Sequence, residues 1–347
     1  MKNLHTHKAP WLMAFLGLAW LASGTLVSAA TLPGPVVDTA WLAENLDNVV
    51  LLDVRKDVKS FEKRSRGAGG PVNPCGPGGK KAKAPVRGDG HIEGAVLISF
   101  KKILGSYKHA NGKKVKVILP QKEAFEKLMQ GAGVDNDSTV VITSKGQGLS
   151  TAAFAARLYW TLKYFGFDNM AILDGGTVQW KLDKHKVKYG SASKPSKGNF
   201  TAATERKEIL ASMDDVIALT KGEGDAQLLD VRGKDLYLGL TYMRKYVLPE
   251  GRGHIPGAKN FPVVLMANYR GPAATLYSKE NIEKVAALSD MDLTNTPTVT
   301  TCNTGVMASL GWFILSEWLG NKNVRLHDGS MLEWAIDGQS VMRPLEQ

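Results

Sequence analysis

The chain has 347 residues, enough for two ordinary domains, because one hydrophobic core usually serves about 100–200 residues. Its 44% hydrophobic and 22% charged residues are typical of globular proteins and exclude a chain that is disordered throughout. The formal net charge of +11 favours small anions as ligands, since the sequence has no zinc-finger spacing and no RNA-binding signature. We therefore predict no nucleic-acid partner, no metal and no cofactor.

Residues 1–30 have the pattern of a cleaved signal peptide. Lys2 and Lys8 give a positive start, an apolar run extends from Trp11 to Ala22, and small residues end at Ala29 and Ala30. The run of about 12 residues is short for a membrane span, which needs about 20. We expect a periplasmic or secreted protein without a membrane span after cleavage; an uncleaved anchor is the alternative.

Three short segments occur twice in the same order, which indicates two copies of one fold. The pairs are Leu51–Arg55 with Leu228–Arg232 (LLDVR), Gly90–Ala95 with Gly253–Ala258 (GHIxGA), and Leu173–Gly176 with His327–Ser330 (LDGG and HDGS). A stretch rich in Ser, Lys and Gly separates the copies. We predict domains at 31–190 and 201–347, joined by a linker at 191–200.

Short apolar runs alternate with helical patterns inside each copy, which predicts an α/β fold: a parallel sheet with helices on both faces. In chain order the patterns predict a helix from about Thr151 to Phe165 and strands at Gln227–Asp230 and Thr298–Thr301. A further helix starts at Val306, with apolar residues every four positions on one face. Ligands of such sheets bind beyond the C-terminal ends of strands, where Cys302 lies.

Cys302 stands between a predicted strand and a predicted helix. The backbone N–H groups of the residues after it and the helix N-terminus would favour a negative charge on the sulfur, as a thiolate or a persulfide. The residues of this predicted cradle are Asn303, Thr304, Gly305, Val306 and Met307. The alternatives are a cysteine packed under a helix and a disulfide with Cys75, the second cysteine of the chain.

The repeated segments and the Cys-x-x-Gly-Val-x-Ala loop resemble those of tandem rhodanese-like sulfurtransferases, which include thiosulfate and 3-mercaptopyruvate sulfurtransferases. The resemblance implies two rhodanese-like domains and a ping-pong reaction. Cys302 would take sulfur from a small anionic donor, become a persulfide, and pass the sulfur to a thiol, cyanide or another acceptor.

The resemblance also implies that the first domain carries no nucleophile. Its matching loop, from Thr143 to Ser150, has no cysteine. We therefore expect this domain to pack against the second one and to form one wall of its site.

Two features leave the donor open. Asn303 and Thr304 follow the cysteine where rhodaneses that prefer thiosulfate often have basic residues, which is closer to the mercaptopyruvate branch. The arginine by which the family holds its substrate is Leu236 here. Arg244 and Arg252 are candidates to supply that charge in a bidentate contact with a carboxylate or sulfonate, although both could equally be solvated loop residues.

Arg232 is a third candidate for anion binding. It forms part of an Asp-Val-Arg segment that is also present in the first copy, which has no cysteine loop. This repetition favours a structural ion pair with Asp230 over a catalytic contact.

Residues 61–90 form an insert between two repeated segments of the first copy. The insert has eight glycines, four prolines and seven basic residues against two acidic ones, a composition that predicts a mobile loop without a core. Cys75 lies within it and is either incidental or a second thiol that receives sulfur from Cys302. The basic loop could also dock an acidic redox protein.

The sequence thus favours an exported sulfurtransferase. A protein that binds sulfur, polysulfide or selenium and delivers it to a respiratory or redox partner is the second hypothesis, and a structural interaction module is the third. A phosphatase of related fold is excluded, because it needs an arginine six positions after the cysteine, and position 308 is alanine.

Overall fold

The computed structural model describes residues 30–64, 86–191, 194–244 and 251–345, and it has two α/β domains of the same topology. The predicted signal peptide, except for Ala30, and Cys75 lie outside the described residues. Within the described ranges, no helix has the length and apolar character that a membrane crossing requires.

The first domain is built on a parallel sheet with strand order β1-β7-β6-β2-β3, beside a β4–β5 hairpin. Its strands are β1 Val36–Val37, β2 Val50–Arg55, β3 Val96–Ser99, β4 Gly105–Lys108, β5 Lys114–Ile118, β6 Val140–Ser144 and β7 Met170–Leu173. Its helices are α1 Thr39–Asn45, α2 Lys59–Glu62, α3 Lys122–Gly131, α4 Leu149–Tyr164 and α5 Gly176–Leu182.

The second domain repeats this sheet beside a β11–β12 hairpin. Its strand order, given in the same direction, is β8-β14-β13-β9-β10. Its strands are β8 Leu210–Ala211, β9 Gln227–Asp230, β10 Lys259–Asn260, β11 Ala267–Asn268, β12 Thr275–Leu276, β13 Thr298–Thr301 and β14 Val324–His327. Its helices are α6 Met213–Thr220, α7 Lys234–Tyr237, α8 Lys279–Ala287, α9 Val306–Trp312 and α10 Ser330–Asp337; a π-helical stretch, Phe313–Trp318, continues α9.

Both faces of the sheets are covered, as the near-continuous apolar strands predict. Successive residues of β2 show this, because Leu51 packs with Leu42 of α1 and Trp180 of α5, whereas Leu52 belongs to the cluster that contains Leu158 of α4. The predicted fold class is confirmed, and the predicted strands at 227–230 and 298–301 are β9 and β13.

The two domains meet along α4 and α9, which pack against each other between the sheets. The rings of Tyr159 and Phe313 lie edge to face across this contact, with centroids 4.8 Å apart. The helix predicted after Cys302 is α9, and it is buried on more than the predicted apolar face. Residues 308–315 are all buried, because α9 has its own sheet on one side and α4 on the other.

A pair of equivalent contacts ties each domain to the hairpin of the other. Asp174 of the first domain accepts a hydrogen bond from the Leu276 amide at 3.1 Å, at the end of the β11–β12 hairpin. Asp328 of the second domain accepts one from the Leu119 amide at 2.7 Å, just after the β4–β5 hairpin. The two copies thus have an approximate two-fold relation.

The prediction of a mobile loop at 61–90 is wrong for the two ends of this segment. Phe61 is buried in α2 and stacks on His91, with ring centroids 3.9 Å apart. At the other end, the carbonyls of Gly88 and Gly90 accept hydrogen bonds from Arg55 at 2.9 and 2.8 Å. These residues are ordered because the buried guanidinium needs acceptors that its own strand cannot provide.

The C-terminal part of the predicted linker at 191–200 is anchored to the first domain. The Gly198 amide donates to the Gln130 carbonyl at 2.8 Å, and the Phe200 amide donates to the Val134 carbonyl at 3.0 Å. The Phe200 ring is buried.

Replacing Asp174 by asparagine should stabilise the protein at neutral pH. Burial raises the pKa of Asp174 to about 6, whereas an unfolded chain has about 3.9. Because the folded state holds the proton more tightly, this carboxyl favours folding below about pH 4, and the contribution is lost as the pH rises through about 6. Asparagine keeps the acceptor for Leu276 without the charge. We expect Asp174→Asn to gain about 3 kcal/mol in urea unfolding at pH 7.5 and little at pH 4.

Asp137→Asn is the control, since Asp137 is exposed. A change in stability that is the same at both pH values would contradict the buried-carboxyl explanation.

Candidate active site

Cys302 directly follows β13, the central strand of the second sheet, and its free thiol is buried, with 2% of the residue exposed. A short loop leads from it to α9 and turns at Gly305, where φ is +75°. A Cβ atom at Gly305 would collide with the carbonyl oxygen of Asp328. Glycine is needed at this position for two local reasons, the positive φ and the close approach of a second backbone.

Two groups approach the sulfur from the loop and from the start of α10. The Thr304 amide donates to Cys302 Sγ at 3.4 Å, and Ser330 Oγ lies 3.9 Å from the same sulfur. The Ser330 hydroxyl also lies 2.8 Å from the His327 carbonyl, and its single hydrogen donates to one acceptor at a time. An anionic sulfur competes better than a neutral thiol for this hydrogen, because bonds to charged groups are stronger.

Ser330 also holds the loop itself. Its Oγ accepts hydrogen bonds from the Cys302 amide at 3.1 Å and from the Gly305 amide at 3.0 Å. Ser330 has a φ of +50°, which is unusual for a residue other than glycine. The corresponding residue of the first domain is Gly176, with a φ of +55°. The second copy thus keeps the positive φ at this position and has the Ser330 hydroxyl where the first copy has only a glycine.

The outer side of the loop is fixed through Asn303. Its Oδ1 accepts from Arg232 Nη1 at 3.1 Å, and its Nδ2 lies 3.2 Å from the sulfur of Met243. Arg232 is 5% exposed, and its other nitrogens donate to the Asp230 carboxylate and the Gly253 carbonyl. This geometry favours the ion-pair interpretation of Arg232 over anion binding.

The other predicted residues lie around this loop. Val306 and Met307 are half-buried in the first turn of α9. Arg244 is exposed and directly follows Met243, the residue that contacts Asn303. Arg252 is half-buried, and its carbonyl accepts from Arg343 Nε at 3.0 Å. Arg244 is therefore next to Met243, which touches Asn303 of the loop. Arg252 is next to Gly253, whose carbonyl accepts a hydrogen bond from Arg232.

The first domain has a serine at the equivalent position. Thr143 pairs with Asp53 as Thr301 pairs with Asp230, so Ser144 corresponds to Cys302. The Gly146 amide donates to Ser144 Oγ at 3.3 Å, as the Thr304 amide does to the sulfur. The copies share this backbone geometry, and the second has a sulfur atom where the first has a hydroxyl oxygen.

Three residues around the site were missed by the sequence analysis, namely Ser330, Asp328 and Arg157. Arg157 of α4 forms a buried ion pair with Asp328, two positions before Ser330. The available signals were the serine that ends the HDGS segment, where the first copy has the glycine of LDGG, and an arginine in the middle of a mostly apolar helix.

A family model described as the rhodanese-like domain matches residues 38–183 and 212–337, the two α/β units described above. The chain belongs to the rhodanese family. The predicted resemblance to tandem rhodanese-like proteins is confirmed.

Relatives and solved structures agree with this assignment. A protein of Mycolicibacterium smegmatis named as a thiosulfate sulfurtransferase is 34% identical, over 74% of this chain and 86% of its own. The sulfur carrier protein TtuD of Thermus thermophilus is 29% identical, over 87% of this chain and 94% of its own. SseA of Escherichia coli, described as a 3-mercaptopyruvate sulfotransferase with the rhodanese fold, has a TM-score of 0.62 and 25% identity, over 86% of this chain and 98% of its own. This rhodanese is a sulfurtransferase.

Removing the Ser330 hydroxyl should loosen the loop. In Ser330→Ala the buried amides of Cys302 and Gly305 lose their acceptor, so we expect a loss of about 2 kcal/mol in urea unfolding and a clear fall in kcat/KM. Ser309→Ala is the matched control, because the Ser309 hydroxyl is also buried but donates to a carbonyl of its own helix region, Gly305. Equal effects of the two variants would show that Ser330 has no special role.

Proposed function

We propose that this rhodanese is exported and moves sulfane sulfur from a small anionic donor, thiosulfate or 3-mercaptopyruvate, to a thiol or cyanide. The sulfur is carried as a persulfide on Cys302. The observation that supports this most is the surroundings of Cys302 Sγ, where the Thr304 amide and the Ser330 hydroxyl converge on one buried sulfur. Donors of this kind stabilise a sulfur anion before attack and after transfer.

The reaction with thiosulfate has two displacements. The Cys302 thiolate attacks the outer sulfur, a new S–S bond forms, and sulfite leaves with the electron pair of the broken bond. With 3-mercaptopyruvate the C–S bond breaks instead, and the carbon that keeps the electron pair takes a proton to give pyruvate. In the second half, an acceptor thiolate or cyanide attacks the outer sulfur of the persulfide and restores the Cys302 thiolate.

Export rests on residues 1–30, with their positive start, short apolar run and small residues at the end. Cleavage there removes Lys2 and Lys8 and no acidic residue, so the formal charge changes from +11 to +9. A mature protein of this charge attracts anionic donors. The hypothesis that Cys75 receives sulfur or pairs with Cys302, and that the insert docks an acidic redox protein, stays a prediction.

A second candidate function is sulfur delivery with little turnover. Leu236 of α7 stands where the resemblance implies a substrate-holding arginine, and a protein with weak donor binding would suit delivery to a partner. The similar TtuD protein is itself named a sulfur carrier. Multiple turnovers with cyanide at ordinary donor concentrations would favour the enzyme, and a single loaded sulfur without turnover would favour the carrier.

Cys302→Ser should abolish persulfide formation, because the serine hydroxyl is not ionised at neutral pH and forms no perthiol. Intact-mass spectrometry after incubation with thiosulfate or 3-mercaptopyruvate measures the gain of one sulfur atom. Cys75→Ser is the control and should load sulfur on Cys302 as the parent does. Full transferase activity in Cys302→Ser would contradict the proposed mechanism.

Arg244→Ala or Arg252→Ala should raise KM for the donor about tenfold if that arginine grips its anionic end. Loss of a charge-assisted hydrogen bond costs about 1.5–3 kcal/mol, and about 1.4 kcal/mol is a factor of ten. Steady-state kinetics with both donors separates the two positions. Unchanged KM in both variants and in the double variant would leave the loop amides as the groups that hold the donor.

A further inference from the structure

Arg157 is a charged residue in a place that usually excludes charge. It lies in α4 of the first domain, is fully buried, and pairs with Asp328 of the second domain. Its guanidinium carbon lies 4.8 Å from the ring centre of Trp160. Among the residues that the structure describes, Arg157 Nε and Nη2 have no hydrogen-bond partner. A buried ion pair is weak evidence for stability, so its presence needs another explanation.

The partner of Arg157 supports the cysteine loop. One carboxylate oxygen of Asp328 takes the guanidinium and the other takes the Leu119 amide, so both are bound to the first domain. The Asp328 carbonyl packs against Gly305, and Arg157 Nη1 would lie 3.0 Å from a Cβ atom there. Ser330, two residues further on, holds the Cys302 amide. The first domain thus reaches the cysteine loop through Arg157 and the Leu119 amide, which both bind the carboxylate of Asp328.

The two-fold relation of the copies supplies an internal comparison. Asp174 corresponds to Asp328 and accepts the Leu276 amide, but within the described part of the chain no arginine bonds to it. The helix that corresponds to α4 in the second domain, residues 306–318, contains neither Arg nor Lys. Within the described residues, the guanidinium therefore occurs at the aspartate beside the Cys302 loop and not at its counterpart, which points to the cysteine site rather than to domain docking in general.

We propose that Arg157 is a positioning residue for Cys302. By fixing the Asp328 carboxylate from the other domain, it holds the start of α10, and with it the Ser330 hydroxyl, against the loop amides and the sulfur. This inference rests on the proposed role of Cys302 and adds a requirement: the domain without a nucleophile sets the reactivity of the nucleophile in the other.

The shape of the side chain matters as well as its charge. A guanidinium is planar and directs its donors in a fixed fork, whereas an ammonium is a point charge on a flexible stem. Lysine at position 157 keeps the charge but not the directed contact with Asp328. Arg157→Lys therefore separates positioning from simple charge neutralisation.

The test uses the full mature chain with Cys75→Ser, so that Cys302 is the sole thiol, and compares Arg157→Lys, Asp328→Asn and the double variant Arg157→Met/Asp328→Asn. Circular dichroism during urea unfolding first establishes that each variant is folded. The readouts are the rate constant for alkylation of Cys302 by iodoacetamide at neutral pH and kcat and KM for thiosulfate. Tyr159→Phe is the matched control, because Tyr159 lies on the same helix and donates to Glu317 of the second domain at 2.8 Å.

We expect Arg157→Lys and Asp328→Asn to slow alkylation and lower kcat by about tenfold each, equivalent to about 1.4 kcal/mol, with KM little changed. The double variant should be no slower than the slower single variant, because the two residues act as a unit. It also keeps the test valid if a single variant with an unpaired buried charge does not fold. Tyr159→Phe should remain within about twofold of the parent, since about 0.4 kcal/mol is a factor of two.

Wild-type alkylation in folded Arg157→Lys and Asp328→Asn would overturn the proposal, as would an equal loss in Tyr159→Phe, which would indicate domain docking alone. The alkylation rate reports on Cys302 without any sulfur transfer. A failure of the proposed function, seen as no persulfide in the parent protein, is therefore distinguishable from a failure of this inference.

Discussion

The carboxylate of Asp328 is the point at which the two domains and the reactive loop depend on one another. One oxygen accepts the Leu119 amide and the other pairs with Arg157, so both of its partners belong to the first domain. Its own backbone packs against Gly305 and leads into Ser330, which binds two loop amides. A displacement at the domain interface would therefore move the groups that surround the Cys302 sulfur. Both domains therefore contribute to the surroundings of Cys302, although the cysteine itself comes from the second domain.

Duplication explains how such an arrangement can be built from one fold. Both copies place a small polar side chain at the C-terminal end of the central strand, and in both an amide two residues later donates to it. The side chain at this position is Ser144 in the first copy and Cys302 in the second. Where the first copy has Gly176, the second has Ser330, with nearly the same positive φ. The backbone geometry is therefore common to both copies, and a few side chains distinguish them.

The features that could be predicted from the sequence are local or repeated. The strand before Cys302 follows from a short apolar run, and the duplication follows from three ordered segments. Arg157 and Asp328 could not be paired in this way, because 171 positions separate them and no periodicity links them. Composition also misled at the ends of the 61–90 insert, where Gly88 and Gly90 are held by the buried guanidinium of Arg55 rather than by apolar side chains. A glycine-rich segment can be ordered when its carbonyls are the acceptors that a buried charge requires.

The two sides of the Cys302 loop differ in what they can contribute to the choice of sulfur donor. The inner side faces Ser330, and the outer side faces Arg232 and Met243. On the inner side, Ser330 and the loop amides offer hydrogen bonds to any sulfur anion and do not distinguish one donor from another. On the outer side, Asn303 is held between Arg232 and Met243, so its amide is already engaged. Met243 is 44% exposed, and Arg244 follows it. We propose that selection between a sulfonate and a carboxylate comes from this rim, where a guanidinium can match the shape of the anionic group.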